Sequence, residues 1–127
     1  MKSRENQLRL RHFQVEDKTR QLAQIDLMIA EFTRMSDELD AQIRIEEQRS
    51  GITDPSHFAY PTFAKAARQR RDNLGVSIRD LRIKREGAVE ALAEAEEQLR
   101  KTQMLENRDV PGADPVERVV ERRVMIG

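Results

Sequence analysis

Few residues in this chain have the types and spacing that chemistry needs. The imidazoles are His12 and His57, and there is no cysteine. A histidine can act as a general base or hold a metal, but only with further donors or an orienting partner close by. These two lie far apart in sequence, with no other donors at metal-ligand spacing. Glu46-Glu47 and Glu96-Glu97 are adjacent carboxylates. Acid–base work needs carboxylates that share an enclosed site able to push their pKa values apart. Both pairs instead sit in charge-rich stretches of helical pattern. No Gly-rich phosphate loop occurs. The expectation is a protein that is not an enzyme and uses no cofactor or metal.

Two other groupings could recognise something. The segment from Lys65 to Arg85 holds eight Lys/Arg, among them Arg68, Arg70, Arg71, Arg79, Arg82 and Lys84, against two Asp. A basic helix of this kind can track phosphates. Zero net charge removes the long-range attraction, however, and stacking aromatics are missing from the segment. Nucleic acid is therefore not the expected partner. The second grouping is aromatic: Phe58, Tyr60 and Phe63, with His57 beside them. They either plug the end of a helical pair or form a partner-binding tip, and the two roles are compatible.

The elements that carry these groups are legible from charge. Residues 1–20 sum to +3, residues 26–47 to −5, residues 65–85 to +6 and residues 86–106 to −4. A turn near residues 50–60 lays −5 beside +6 and +3 beside −4, so the pattern predicts an antiparallel helical hairpin. Composition agrees. The chain has 127 residues, 38% hydrophobic, 4% aromatic and 36% charged. That is thin for a globular core and suits long exposed helices. Disorder is the competing reading of such a composition. The seven-residue repeats argue against it for residues 5–106.

Helix 1 is expected over about residues 4–49. One row of its seam holds Leu8, Val15, Leu22, Ile29, Ser36 and Ile43; the other holds Arg11, Lys18, Ile25, Phe32, Leu39 and Glu46. Met28 and Met35 broaden the stripe on one shoulder. Repeats at this spacing specify a coiled coil. The break comes at Ser50-Gly51-Ile52-Thr53-Asp54-Pro55, where Gly51 suits a helix C-terminal cap and Asp54-Pro55 is a helix-start signal. Pro61 biases Tyr60 away from helical geometry. The bend therefore covers 50–61, with 55–60 a single turn or irregular.

Helix 2 is expected over about 62–106. Its seam holds Ala67, Leu74, Leu81, Ala88, Ala95 and Thr102, with Arg71, Ile78, Arg85, Leu92 and Leu99 between them. Pairing positions whose numbers sum to 110 sets Phe32 on Ile78, Ile29 on Leu81, Leu22 on Ala88 and Val15 on Ala95; a one-heptad slip is the alternative. Arg11, Lys18, Arg71 and Arg85 are expected to lay their stems on the seam and keep their charges in water. Each helix would be about 65 Å long at the standard rise. A two-helix seam buries its side chains only partly, which predicts marginal stability and frayed ends.

Residues 107–127 read as a flexible tail. It contains Pro111, Gly112 and Pro115, then a possible short helix over 115–125 with Val116, Val119, Val120 and Val124 on one face. Four valines cannot hold so short a helix alone. No stretch approaches the apolar length of a membrane span, and no signal peptide is evident. A cytoplasmic protein without direct membrane insertion is the expectation.

The opening Met1-Lys2-Ser3-Arg4-Glu5-Asn6, with Leu8, Leu10, Phe13 and Val15, resembles the start of FliJ-type flagellar export proteins. The string Gly51-Ile52-Thr53-Asp54-Pro55-Ser56-His57-Phe58-Ala59-Tyr60-Pro61-Thr62-Phe63-Ala64-Lys65-Ala66-Ala67 resembles the bend in that family's alphaproteobacterial branch. The resemblance covers about residues 1–106. It implies an all-α, long antiparallel two-helix coiled-coil hairpin in the flagellar type III protein export apparatus, serving flagellum biogenesis, motility and chemotaxis. Its implied partners are the flagellar export ATPase and the membrane export gate protein, with export substrates or chaperones as further candidates. Its implied place is cytoplasmic, peripherally associated with the inner membrane at the flagellar base. By analogy with a rotary-ATPase central stalk, the implied ring-facing residues are Arg4, Arg9, Arg11, Leu99, Arg100 and Gln103. Phe58, Tyr60 and Phe63 are nominated for the gate. The proline-bearing tail departs from the continuous C-terminal helix of a stalk. An export chaperone or adaptor for flagellar substrates, and an unrelated coiled-coil scaffold, are the alternative readings.

Overall fold

A stripe of Leu, Ile and Ala at seven-residue spacing needs a second stripe to cover it, and the chain supplies one. The computed structural model describes residues 2–108; the expected tail helix over 115–125 lies outside the described residues. Helix α1 spans Lys2–Ser50 and helix α2 spans Thr62–Arg108, with residues 51–61 between them. Among the described residues there is no strand, and the two helices pack against each other as a hairpin. Both helices run slightly past the expected limits, and α2 continues through Asn107 and Arg108, where the sequence suggested the linker had begun.

Two compact units divide the chain. Residues 21–88, with the bend, form one; the arm up to Arg20 and the arm from Val89 form the other. In the bend-containing unit the core is Leu39, Ile43 and Ala67 with Leu74 packed against them. Ile43 is 2% exposed and Ala64 completely buried. Ile25, Ile78 and Leu81 are also buried there, as Ala95 is in the terminal unit. All twelve expected seam positions of α1 are buried or half-buried. So are the expected positions of α2, with Arg85 the exception. Ala64 continues the Arg71 row one heptad earlier and extends the seam to the first turn of α2. On the shoulder of the stripe Met28 is 46% exposed and Met35 half-buried.

Two ion pairs fix the register of this unit. Arg71 Nη1 donates to Asp40 Oδ1 at 2.9 Å, and Arg85 Nε donates to Asp26 Oδ1 at 2.5 Å. Both join residues whose numbers sum to 111, one from the expected 110, so a heptad slip is excluded. Each links the basic block of α2 to the acidic block of α1, as the charge pattern requires. Arg71 is half-buried and its guanidinium is held charged, first by the hydrogen bond to Asp40 against the opposing effect of burial. Other pairs brace single helices: Arg34 with Glu31 and Glu38, Arg49 with Glu46, and Arg100 with Glu97. Exposed pairs at this spacing add little, because water screens them and holding two long side chains in one geometry costs entropy.

Candidate functional site

The bend is built by turn chemistry. α1 ends where Gly51 takes φ 73°, a left-handed conformation open to glycine at little cost. Its N–H donates to the Glu47 carbonyl at 2.9 Å. The Ser50 hydroxyl accepts the Ile52 N–H at 3.1 Å, and Ile52 is half-buried. Asp54 then accepts the Ser56 N–H at 3.0 Å and the Ser56 hydroxyl at 2.7 Å through one carboxylate oxygen. Those two bonds, the backbone one first, hold the Asp54 carboxyl below its ordinary 3.8. Asp54 thus organises a turn, not a helix. His57 N–H donates to the Asp54 carbonyl and Tyr60 N–H to the His57 carbonyl, giving two successive turns. Pro61 starts α2: its carbonyl accepts the Lys65 N–H at 3.0 Å, and a proline there gives up no needed donor.

These turns split the aromatic cluster. Tyr60 is 7% exposed and closes the end of the hairpin, so its ring is not presented to solvent. Its hydroxyl is buried without a hydrogen-bond partner among the described residues. Phe58 is the opposite: 96% exposed, with its ring stacked on His57 at 4.8 Å between centroids and 22° between planes. His57 Nδ1 accepts the Ala59 N–H at 3.0 Å, which fixes the imidazole as a platform for the Phe58 ring. Phe63, on the first turn of α2, is more than half exposed. Plug and tip are therefore different residues, Tyr60 for the first, Phe58 and Phe63 for the second.

The other candidate contacts lie in the terminal unit. Arg4, Arg11, Leu99 and Gln103 are half-buried, and Arg9 and Arg100 are exposed. Arg11 Nη1 donates to Gln14 Oε1 at 3.1 Å. Arg100 is engaged by Glu97 at 2.6 Å, which raises the arginine's pKa and lowers the glutamate's. His12 belongs to this unit and His57 to the other. Among the described residues no three His, Asp or Glu side chains converge as a metal site. On the helices the shifted groups are held by hydrogen bonds and ion pairs at the surface, as Arg34 is by Glu31 and Arg85 by Asp26. Sequence reasoning missed Ala64, whose burial brings α2 close to α1 beside the bend; continuing the heptad count past Arg71 would have found it.

Comparison with protein-family models, curated proteins and solved structures gave no match.

Proposed function

We propose that this chain is a non-enzymatic coupling component of the flagellar type III protein export apparatus, linking the export ATPase ring to the membrane export gate. The observation that carries the reading is the bend: the string that resembles the flagellar export family holds Phe58 96% exposed on a bonded His57 platform. A solvent-exposed phenylalanine has no stabilising role in the hairpin. Buried on a partner, a side chain of this size contributes about 1.5–3 kcal/mol, the scale of an interface anchor. In this reading Arg4, Arg9, Arg11, Leu99, Arg100 and Gln103 meet the ATPase. ATP is hydrolysed by that partner, and the chain reaches the inner membrane through the gate. No helix among the described residues is long and apolar enough to cross a membrane.

The test is co-purification of the ATPase and the gate protein with the full-length chain from flagellated cells, beside Phe58→Ala. Wild type should retain both partners. Phe58→Ala should lose the gate at least tenfold with an unchanged melting temperature, because the ring covers little of its own fold. Recovery of neither partner by wild type, together with normal swimming in a clean deletion, would falsify the flagellar reading. Recovery of export substrates in place of both would favour the chaperone alternative.

A further inference from the structure

Three of the bonds that shape the bend converge on one residue. His57 N–H donates to the Asp54 carbonyl at 3.1 Å, the His57 carbonyl accepts the Tyr60 N–H at 3.0 Å, and the ring Nδ1 accepts the Ala59 N–H at 3.0 Å. The two backbone bonds are indifferent to pH in the neutral range. The third is not. An imidazole accepts at Nδ1 only while it is neutral, with its proton on Nε2, and the charged ring donates from both nitrogens. No other side chain ordinarily changes charge between about pH 5 and 8. His57 and Ala59 are both exposed, so a proton can reach the ring and water can take the released amide. The imidazole is also the main support of Phe58, whose ring is 96% exposed and stacked on it at 4.8 Å.

We propose that His57 is a proton-operated latch on the tip: neutral, it ties to the Ala59 amide and holds the Phe58 ring on a fixed platform, and charged, it drops that amide and frees the ring. The charged groups around the bend are these. The Asp54 carboxyl is held below its ordinary 3.8 by the Ser56 N–H, then by the Ser56 hydroxyl, and in smaller part by the charge of His57. It therefore stays ionised over this range and favours the charged ring. From α2, Lys65 and Arg68 line a shallow hollow with Pro55 and supply the opposing positive charge, and Asp72 in that hollow is engaged by Arg71. α1 ends in Glu46, Glu47 and Arg49, with Arg49 engaged by Glu46. The latch rests on the bend alone and is the same whichever partner Phe58 meets, so its failure would leave the flagellar reading standing.

Nuclear magnetic resonance of the full-length chain between about pH 8 and about pH 5 tests this. At the upper end the ring nitrogen shifts should place the imidazole proton on Nε2; a proton on Nδ1 would overturn the latch. As His57 charges, protection of the Ala59 amide, corrected for intrinsic exchange, should fall by about threefold or more, the worth of one hydrogen bond. Cross-relaxation between the His57 and Phe58 rings should weaken over the same range. The Ser56 and Tyr60 amides are the internal reference and should hold. His57→Asn keeps a side-chain acceptor for the amide two residues on without a titrating group. Its Ala59 amide should stay protected at both ends, and that of His57→Ala should be unprotected at both. A fall of equal size in His57→Asn would put the proton elsewhere and overturn the proposal. So would an Ala59 amide, or a contact between the two rings, that does not change as His57 charges.

Discussion

Replacing Ile43 by alanine puts a number on the seam. Ile43 is 2% exposed and packs in one cluster with Leu39, Ala67 and Leu74. The substitution deletes three buried carbons, about 2.4 kcal/mol at roughly 0.8 kcal/mol per methylene. A residual cavity adds to this where neighbours cannot close in. The seam is a single layer with solvent on both flanks, so the half-buried Leu74 packed on this cluster can shift inward and keep that addition small. The expected total is about 3 kcal/mol. For a domain near 100 residues this lowers the melting midpoint by about 14 °C. Leu27, on the face of α1 opposite the seam and 71% exposed, is the internal control: Leu27→Ala should cost no more than about 0.5 kcal/mol. The measurement is urea unfolding followed by far-ultraviolet circular dichroism, at two chain concentrations so that self-association shows as a shift. Equal losses for Ile43→Ala and Leu27→Ala would mean that the helices do not meet on this face, and the register argument would fail with it.

Three further outcomes follow from the bend. Gly51→Ala should destabilise by about 1 kcal/mol through backbone strain alone, because an added Cβ meets nothing within 4 Å; a loss above about 3 kcal/mol would point to a clash instead. Tyr60→Phe removes a buried hydroxyl without a partner, so it should be neutral or stabilising by up to about 1 kcal/mol; destabilisation of that size would show that the hydroxyl is bonded. The Asp54 carboxyl is depressed below 3.8 by the Ser56 N–H and hydroxyl, so its contribution to the bend is fully present above the unfolded-state value and lost as pH falls through the folded one. Protection of the Ser56 amide should be level from pH 7 to about 5 and decline below about pH 4; a carboxyl titration midpoint at or above 3.8 by NMR would contradict this.

Part of the candidate site was readable from residues alone. The heptads located both helices to within a few residues, and Gly51, Asp54 and Pro61 marked the bend, because caps and turns are decided by local backbone chemistry. What escaped was the sorting of the aromatics. Phe58, Tyr60 and Phe63 are similar in hydrophobic size, and composition ranks none as inner or outer. Two consecutive turns rotate Tyr60 inward and hold Phe58 out against His57.

Sequence by itself therefore determined the helices, their breaks and the pairing of acidic with basic blocks, since all three follow from periodicity, local capping and the sign of charge. Tertiary structure alone decided which charges meet, Asp40 with Arg71 and Asp26 with Arg85. It also decided which ring is buried and which is presented to solvent. Those outcomes depend on distances between residues far apart along the chain, and such distances exist only once the two helices have packed.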